Sequence, residues 1–202
     1  MGGADTINSV KCRHCGADVS HVLVDLGVAP PSNAYLTKMA LKRPEKYFPL
    51  RVLVCESCWL VQAEAYSRAA ELFNEEYAYF SSFSSEWLAH AKKYVDEMVD
   101  RFDLSESSVV GEVAANDGYL LQFVKERGIS CYGIEPTAST ANAARQKGIE
   151  IVQDFLNVSL AGELGRQGRA VDLLAANNVL AHVPDINDFS QACQMLLKDF
   201  GV

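Results

Sequence analysis

The hydrophobic and polar positions from residue 84 onward form alternating blocks of two kinds. Short, nearly continuous apolar runs are typical of buried parallel strands, and they alternate with apolar positions at helical spacing. The pattern predicts helices over residues 84–102, 118–127, 138–147, 158–166 and 186–197, and strands over residues 108–114, 131–134, 149–152 and 171–176. Repeated strand–helix units of this size predict an α/β fold with a parallel, doubly wound sheet.

The stretch Val109–Leu121, VVGEVAANDGYLL, joins the first apolar run to a helical pattern through a polar turn. Asn116, Asp117 and Gly118 supply the turn. A polar turn between a strand and a helix is where parallel sheets meet nucleotide-like ligands, at the carboxyl ends of their strands. Many such turns bind nothing, so the prediction of a site depends on the ends of the other strands.

Polar or aromatic residues follow each of the other predicted strands. Glu135, after the second strand, is placed to accept the hydroxyls of a ribose. Asp154 and Phe155, after the third, suit an adenine amino group and its ring face. Glu112 is an acid inside an apolar strand, and it needs a polar partner such as a ligand ammonium or a backbone amide. The predicted ligand-binding residues are Glu112, Ala114, Asn116, Asp117, Gly118, Glu135, Pro136, Asp154, Phe155, Asn177 and Asn178.

The composition of the first turn favours one kind of nucleoside ligand. The turn lacks the G-x-G-x-x-G pattern, and Gly118 is its only glycine, so it is poorly suited to hold a pyrophosphate. A ligand with a zwitterionic amino-acid end and an adenosine fits better than NAD. The sequence therefore predicts S-adenosylmethionine as the cofactor.

Four of the six cysteines form two C-x-x-C knuckles, KCRHCG and VCESCW. Two such knuckles can close a tetrahedral shell of four thiolates around one zinc ion, and a closed shell indicates a structural metal. A redox pair or an iron site on the same ligands stays possible. We expect His14 and His21 to be bystanders, and the other two cysteines to be buried thiols. The predicted zinc ligands are Cys12, Cys15, Cys55 and Cys58.

Composition and length limit the remaining choices. The net charge of −8 argues against a nucleic-acid partner held by a broad basic surface. No apolar run is long enough to span a membrane, and the N-terminus does not resemble a signal peptide, so we expect a cytoplasmic protein. We predict a flexible tail over residues 1–9, a zinc-binding domain over 10–62, a connector over 63–83 and a ligand-binding domain over 84–202.

The end of the connector is dense in aromatic and hydroxyl side chains, among them Tyr77 and Tyr79. Composition favours a packed linker over a loop that places phenols above a pocket.

Seven motifs together resemble the zinc-containing sugar-nucleotide C-methyltransferases. They are KCRHCG, DLGVAPPSNAY, FPLRVLVCESCWLVQ, YAYFSSFSSEWLAHAKKY, VVGEVAANDGYLLQ, YGIEPTASTANAA and ANNVLAHVPDINDF, and the resemblance runs from Lys11 to Val202. Enzymes of this family use S-adenosylmethionine to methylate carbon 3 of a 4-keto-deoxyhexose carried on a nucleoside diphosphate, usually dTDP. The resemblance implies a Rossmann-like class I methyltransferase sheet, here its first four strands, preceded by a small β-rich four-cysteine zinc domain.

The resemblance also implies a mechanism. A base removes the proton on carbon 3, the enolate attacks the donor methyl in line, and His182, Tyr77 and Tyr79 are the candidate catalytic residues that contact the sugar. The family's base is expected in an acid-and-histidine segment that this chain does not contain, together with further strands and a C-terminal domain. Family members also tend to read E-I-A-S-N-D-G where this chain reads E-V-A-A-N-D-G.

Three functions therefore stay open. The first is the front part of a sugar C-methyltransferase acting on a small-molecule sugar nucleotide. The second is a truncated, non-catalytic zinc-bearing module that binds S-adenosylmethionine or a partner. The third is a methyltransferase acting on oxygen or nitrogen of another small molecule. A zinc hydrolase is disfavoured because four cysteines leave no open metal position.

Overall fold

The computed structural model describes residues 10–66 and 79–202, and the chain divides into two compact units. The first comprises residues 1–68 with 184–187, and the second comprises 69–183 with 188–202. The predicted tail, Tyr77 and the middle of the predicted connector lie outside the described residues, and the predicted domain boundaries stay predictions. No helix within residues 10–66 and 79–202 has the length and apolarity needed to cross a membrane.

The first unit is built of short antiparallel strands. Strands β1 (Val10–Lys11) and β2 (Asp18–Val19) pair with each other, and β3 (His21–Ala29), β4 (Phe48–Val54) and β5 (Val61–Ala63) form a sheet in that order. A 3-10 helix covers Ala40–Lys42. The second knuckle joins β4 to β5. Among the described residues of this unit, the buried apolar core comprises Cys12, Val19, Leu53 and Cys55, and so small a core needs a further stabilising element such as a bound metal.

The second unit is a parallel α/β sheet. Its elements are α1 (Ser85–Phe102), β6 (Val109–Val113), α2 (Leu121–Glu126), β7 (Ser130–Ile134), α3 (Ala138–Gln146), β8 (Glu150–Val152), α4 (Val158–Arg166), β9 (Leu173–Ala175) and α5 (Ile186–Leu196). The four strands lie in the order β8-β7-β6-β9 and all pairs are parallel. The strand order reverses at β6, which is where sheets of this kind bind ligands. The predicted fold class is confirmed.

Helices cover both faces of this sheet and form two apolar cores. Side chains of α1, α2 and α3 pack with Val110, Ile151 and Leu173. Side chains of α4 and α5 pack with Val113 and Ile134 on the other face. Because both faces are covered, the strands read as the continuous apolar runs from which they were predicted.

Two predicted boundaries differ from the structure by more than one residue. Helix α2 begins at Leu121 and not at residue 118, because Asn116 and Gly118 adopt positive φ angles and the chain turns before the helix starts. The fourth strand is shorter than the predicted residues 171–176, because Val171 does not pair with β6 and instead forms a separate parallel bridge with Leu197.

Gly118 is required by both its backbone and its surroundings. Its φ angle is +74°, and a Cβ at this position would lie 2.4 Å from Ile149 Cδ1 and 3.3 Å from Ala144 Cβ. A side chain would therefore strain the backbone and displace the packing between the turn, α3 and β8.

We expect Gly118→Ala to lower the free energy of unfolding by roughly 1–3 kcal/mol. Urea unfolding followed by circular dichroism measures the change, because the described helices α1 to α4 and most of α5 lie in the second unit. The matched control is Gly165→Ala in α4, where an added Cβ meets nothing within 4 Å, and which should stabilise the helix by about 0.5–1 kcal/mol. Equal effects of the two changes would contradict the assignment.

Candidate functional site

The turn after β6 has an unusual backbone. Ala114, Asn116 and Gly118 have φ angles of 57°, 50° and 74°, so two residues other than glycine lie in the left-handed region. Each such residue costs about 1–3 kcal/mol and persists only where the surroundings enforce it, which is most often at a ligand site. The turn is fastened to the neighbouring strand, since the amide of Ala114 donates to the carbonyl of Ile134 at 2.8 Å.

Glu135 fastens the same turn from the end of β7. Its side chain is buried, Oε2 accepts from the amide of Asn116 at 2.9 Å, and Oε1 accepts from the amide of Thr137 at 2.9 Å. Each carboxylate oxygen has a second lone pair, so the residue can still accept from a ligand hydroxyl. Glu135 therefore positions the turn in addition to the ribose-binding role that we predict for it.

Glu112 is the most isolated polar side chain of the site. It is 1% exposed, and neither carboxylate oxygen makes a hydrogen bond within the described part of the chain. Burial raises the pKa of Glu112 well above its usual range, the nearby Tyr119 hydroxyl opposes this rise, and the carboxylates of Glu135 and Asp117 add to it. The backbone amide that the sequence left open as a partner of Glu112 does not hydrogen-bond to it within the described residues. A ligand cation would therefore supply the polar partner that this buried carboxyl lacks.

Tyr119 is a site residue that sequence reasoning missed. Its hydroxyl accepts from Nδ2 of Asn177 at 3.4 Å, and its ring stacks on Trp87 with centroids 5.8 Å apart. It thus links the end of β9 to the turn after β6. In the sequence, the available signal was a phenol directly after the turn glycine.

Asn116 and Asp117 direct their side chains toward the segment Tyr79–Ser82. Oδ1 of Asn116 accepts from the amide of Ser81 at 2.9 Å, and Nδ2 donates to the carbonyl of Tyr79 at 3.1 Å. Oδ1 of Asp117 accepts from the amide of Ser82 at 3.3 Å. The polar groups from which a ligand site was predicted therefore also hold the end of the connector.

The remaining predicted residues are more exposed. Asp154 accepts from the amide of Phe155 at 2.7 Å, and the Phe155 ring is 39% exposed at the end of β8. His182 ends an exposed 3-10 helix, Leu180–His182, after β9. Tyr79 is 48% exposed. Pro136 is half-buried, and Asn178 is exposed with a φ angle of 53°.

The four knuckle cysteines converge on one point. Their sulfur atoms all lie within 4.8 Å of one another, with 3.5 Å between Cys12 and Cys58 and 3.6 Å between Cys15 and Cys55. A tetrahedral zinc ion with bonds of about 2.3 Å requires sulfur atoms about 3.8 Å apart, so the geometry fits. Neither His14 nor His21 joins this cluster, as we expected.

The environment of the thiols also favours a bound cation. Burial tends to raise the pKa of Cys12, but backbone amides of Cys15 and His14 lower it to about 6. For Cys58 a backbone hydrogen bond from Leu60 lowers the pKa, but burial and the neighbouring thiols raise it to about 12. Four adjacent thiolates are thus unfavourable without metal, and a divalent ion removes the conflict.

Two protein families match the two parts of the chain. Residues 12–73 match a family described as "Putative zinc binding domain", and residues 112–202 match one described as "Methyltransferase domain". These matches agree with the zinc-binding and methyltransferase parts of the resemblance drawn from the sequence motifs. The predicted cofactors, zinc and S-adenosylmethionine, agree with these matches.

Individual proteins of the same kind are also similar. The C-methyltransferase NovU of Streptomyces niveus is 28% identical over 192 residues, which are 95% of this chain and 46% of NovU. The chain thus spans less than half the length of this relative. A methyltransferase of Archaeoglobus fulgidus, described as SAM-dependent, is 15% identical over 53% of this chain and 48% of its own, with a TM-score of 0.42. Magnesium protoporphyrin IX methyltransferase of Synechocystis PCC 6803 with bound SAM is 17% identical over 55% and 56%, with a TM-score of 0.43.

We expect the purified chain to contain about one zinc ion. The variant Cys55→Ser should lose this zinc, because it removes a buried ligand of a closed four-thiolate site. Elemental analysis gives the zinc content, and proteolysis of the first unit reports its folding. Cys193→Ser, outside the cluster, is the control and should keep full zinc. Folded, reduced protein without metal would contradict the assignment.

We expect Glu112→Gln to stabilise the ligand-free protein increasingly as pH rises. The folded protein keeps the Glu112 proton to a higher pH than the unfolded chain, so it loses stability between the unfolded pKa of about 4.3 and the folded pKa. Glutamine avoids this loss, and its advantage over wild type should grow by up to about 1.4 kcal/mol per pH unit within that window.

Urea unfolding between pH 4 and pH 8 measures this difference. Glu126→Gln removes an exposed carboxylate from α2 and is the control. A constant difference between Glu112→Gln and wild type across the pH range would show that Glu112 is not a buried, protonated acid.

Proposed function

We propose that this chain is the zinc- and donor-binding part of an S-adenosylmethionine-dependent C-methyltransferase. Its substrate in this proposal is a nucleoside-diphosphate 4-keto-deoxyhexose, such as a dTDP sugar, methylated at carbon 3. The observation that carries the donor site is Glu112, a buried carboxyl without a hydrogen-bond partner in the described residues, beside a strained turn at the sheet's switch point. The acceptor chemistry is supported by the family resemblance and by the similarity to a C-methyltransferase.

The polar groups around β6 and β7 fit the parts of the donor. The ammonium of its methionine end would pair with Glu112 and allow that carboxyl to ionise. The ribose hydroxyls would donate to the lone pairs that Glu135 keeps free. At the end of β8, Phe155 offers an exposed ring for the adenine and Asp154 an acceptor for its amino group. The turn has too little glycine for a pyrophosphate, which disfavours NAD.

The chemistry then assigns roles to the acceptor side. The 4-keto group acidifies the proton on carbon 3, and removing this proton leaves an enolate whose carbon takes the methyl group that the bound sulfonium supplies. His182 and Tyr79, both exposed, would donate hydrogen bonds to the enolate oxygen. Tyr77 stays a candidate for the same role. The base would come from the remainder of the complete enzyme.

A second candidate is a donor-binding module without catalysis. It is supported by the fact that the buried carboxyls of the site, Glu112 and Glu135, lie on its proposed donor side. Calorimetric titration with S-adenosylmethionine and S-adenosylhomocysteine tests what the two candidates share, and absence of heat with both ligands would contradict each of them. Turnover of a dTDP-4-keto-deoxyhexose by the complete enzyme separates them.

In the complete enzyme, we expect His182→Asn to lower kcat by roughly 100-fold, because an oxyanion donor acts mainly in the transition state. The Kd for S-adenosylmethionine should change less than about twofold, since no donor contact is assigned to His182. His21→Asn, at an exposed histidine of the first unit, is the matched control and should leave both constants unchanged. Unchanged turnover of His182→Asn would remove His182 from the mechanism.

A further inference from the structure

We propose that Lys147 is a positioning residue of the donor site. It holds the segment Tyr79–Phe83, here called the strap, on the turn after β6, so that donor binding and the placement of the Tyr79 phenol are coupled. This inference rests on the proposed function. It assigns a role to a lysine at the end of α3 that no sequence motif singled out.

Lys147 uses its ammonium group fully inside the second unit. Nζ donates to the Ser82 hydroxyl at 2.7 Å, to the Asp117 carbonyl at 2.7 Å and to Asp117 Oδ2 at 3.3 Å. An ammonium has three protons, and these three acceptors match them. The side chain of Asp117 is only 5% exposed and that of Lys147 is 31% exposed, so water screens this contact less than a surface pair. Lys147 therefore joins the strap to the turn.

A second set of bonds runs beside the first. Asn116 binds the strap through both ends of its side-chain amide, at the Ser81 amide and the Tyr79 carbonyl. Asp117 Oδ1 accepts from the amide of Ser82. Two consecutive turn residues thus hold the strap backbone at three of its residues, at the carbonyl of Tyr79 and at the amides of Ser81 and Ser82. Lys147 adds a contact to the Ser82 side chain.

The coupling follows from the double role of Asn116. Its backbone amide donates to Oε2 of Glu135, the proposed ribose ligand, and its side chain holds the strap. These contacts help to maintain its φ angle of 50°, so a ligand that fixes Glu135 and the turn should also fix the side chain of Asn116. The other end of the strap enters α1, where Ser84 Oγ accepts from the amide of Trp87 at 3.2 Å. The position of Tyr79 should therefore be most sharply defined when the conformation of the turn is fixed.

A purely structural role predicts something different. If Lys147 only helps the strap to attach α1 to the sheet, the stability of the strap depends on Lys147 and is the same with and without the donor. Coupling requires that the donor slows hydrogen exchange at Ser81 and Ser82, and that this effect of the donor requires Lys147.

Hydrogen exchange of the Ser81 and Ser82 amides, with and without S-adenosylhomocysteine, separates the two roles. We expect the ligand to slow exchange in wild type, and Lys147→Met to lose most of this slowing and to bind the ligand about five- to tenfold more weakly. Lys147→Arg keeps the charge and should restore part of both effects. Ligand-dependent slowing in Lys147→Met equal to wild type would overturn the coupling.

Lys125→Met is the matched control. Lys125 Nζ donates to the carbonyls of Lys147 at 3.2 Å and Gly148 at 2.9 Å, so this change removes lysine hydrogen bonds at the same helix end without removing a contact to the strap. It should keep ligand-dependent slowing. If Lys147→Met does not fold, Ser82→Ala removes the shortest strap contact of Lys147 and should weaken the slowing in the same direction.

The outcomes distinguish this inference from the proposed function. No calorimetric heat with wild type overturns the proposed function and the coupling together. Calorimetric heat with wild type, together with hydrogen-exchange rates at Ser81 and Ser82 that are the same with and without the ligand, overturns the coupling alone. Heat with wild type, together with slowing that disappears in Lys147→Met and persists in Lys125→Met, supports both.

Discussion

The carboxylate of Glu135 is the group on which the rest of the site depends. It accepts backbone amides from the turn after β6 and from the start of α3, so it joins the loops of two neighbouring strands at one point. The left-handed residues of that turn are unfavourable on their own, and this bond helps to maintain them. Asn116, whose backbone amide makes this bond, also donates from its side-chain amide to the carbonyl of Tyr79 in the strap. A single buried acid thus relates the nucleoside end of the proposed site to its acceptor end.

The two units are stabilised in different ways. The second has two apolar cores on opposite faces of a parallel sheet, so helix and strand burial maintains it. The first has a buried core in which two of the four members, Cys12 and Cys55, are also predicted metal ligands. We therefore expect folding of the first unit and metal binding to be linked. The proposed donor site lies in the second unit, whose apolar cores contain none of the predicted zinc ligands.

Much of this organisation follows from the sequence, and the exceptions have a common physical reason. The order of strands and helices follows from apolar periodicity, and the cysteine cluster follows from spacing, because both are local signals. The start of α2 was misplaced because positive φ angles at Asn116 and Gly118 delay the helix. The directions of the Asn116 and Asp117 side chains, and the roles of Tyr119 and Lys147, depend on contacts with residues 30–65 positions away, as between Lys147 and Ser82. Pattern and spacing do not contain that information.

The stacking of Trp87 on Tyr119 gives the molecule a built-in optical signal. The chain has two tryptophans, and each unit contains one. Trp87 is half-buried against the ring whose hydroxyl meets Asn177, while Trp59 follows a zinc-ligand candidate and is 73% exposed. Indole emission shifts to longer wavelength as water reaches the ring, so Trp87 should emit at shorter wavelength than Trp59. Replacing Trp59 with phenylalanine would leave Trp87 as the single indole, and fluorescence would then follow the unit that carries the proposed donor site without an added label.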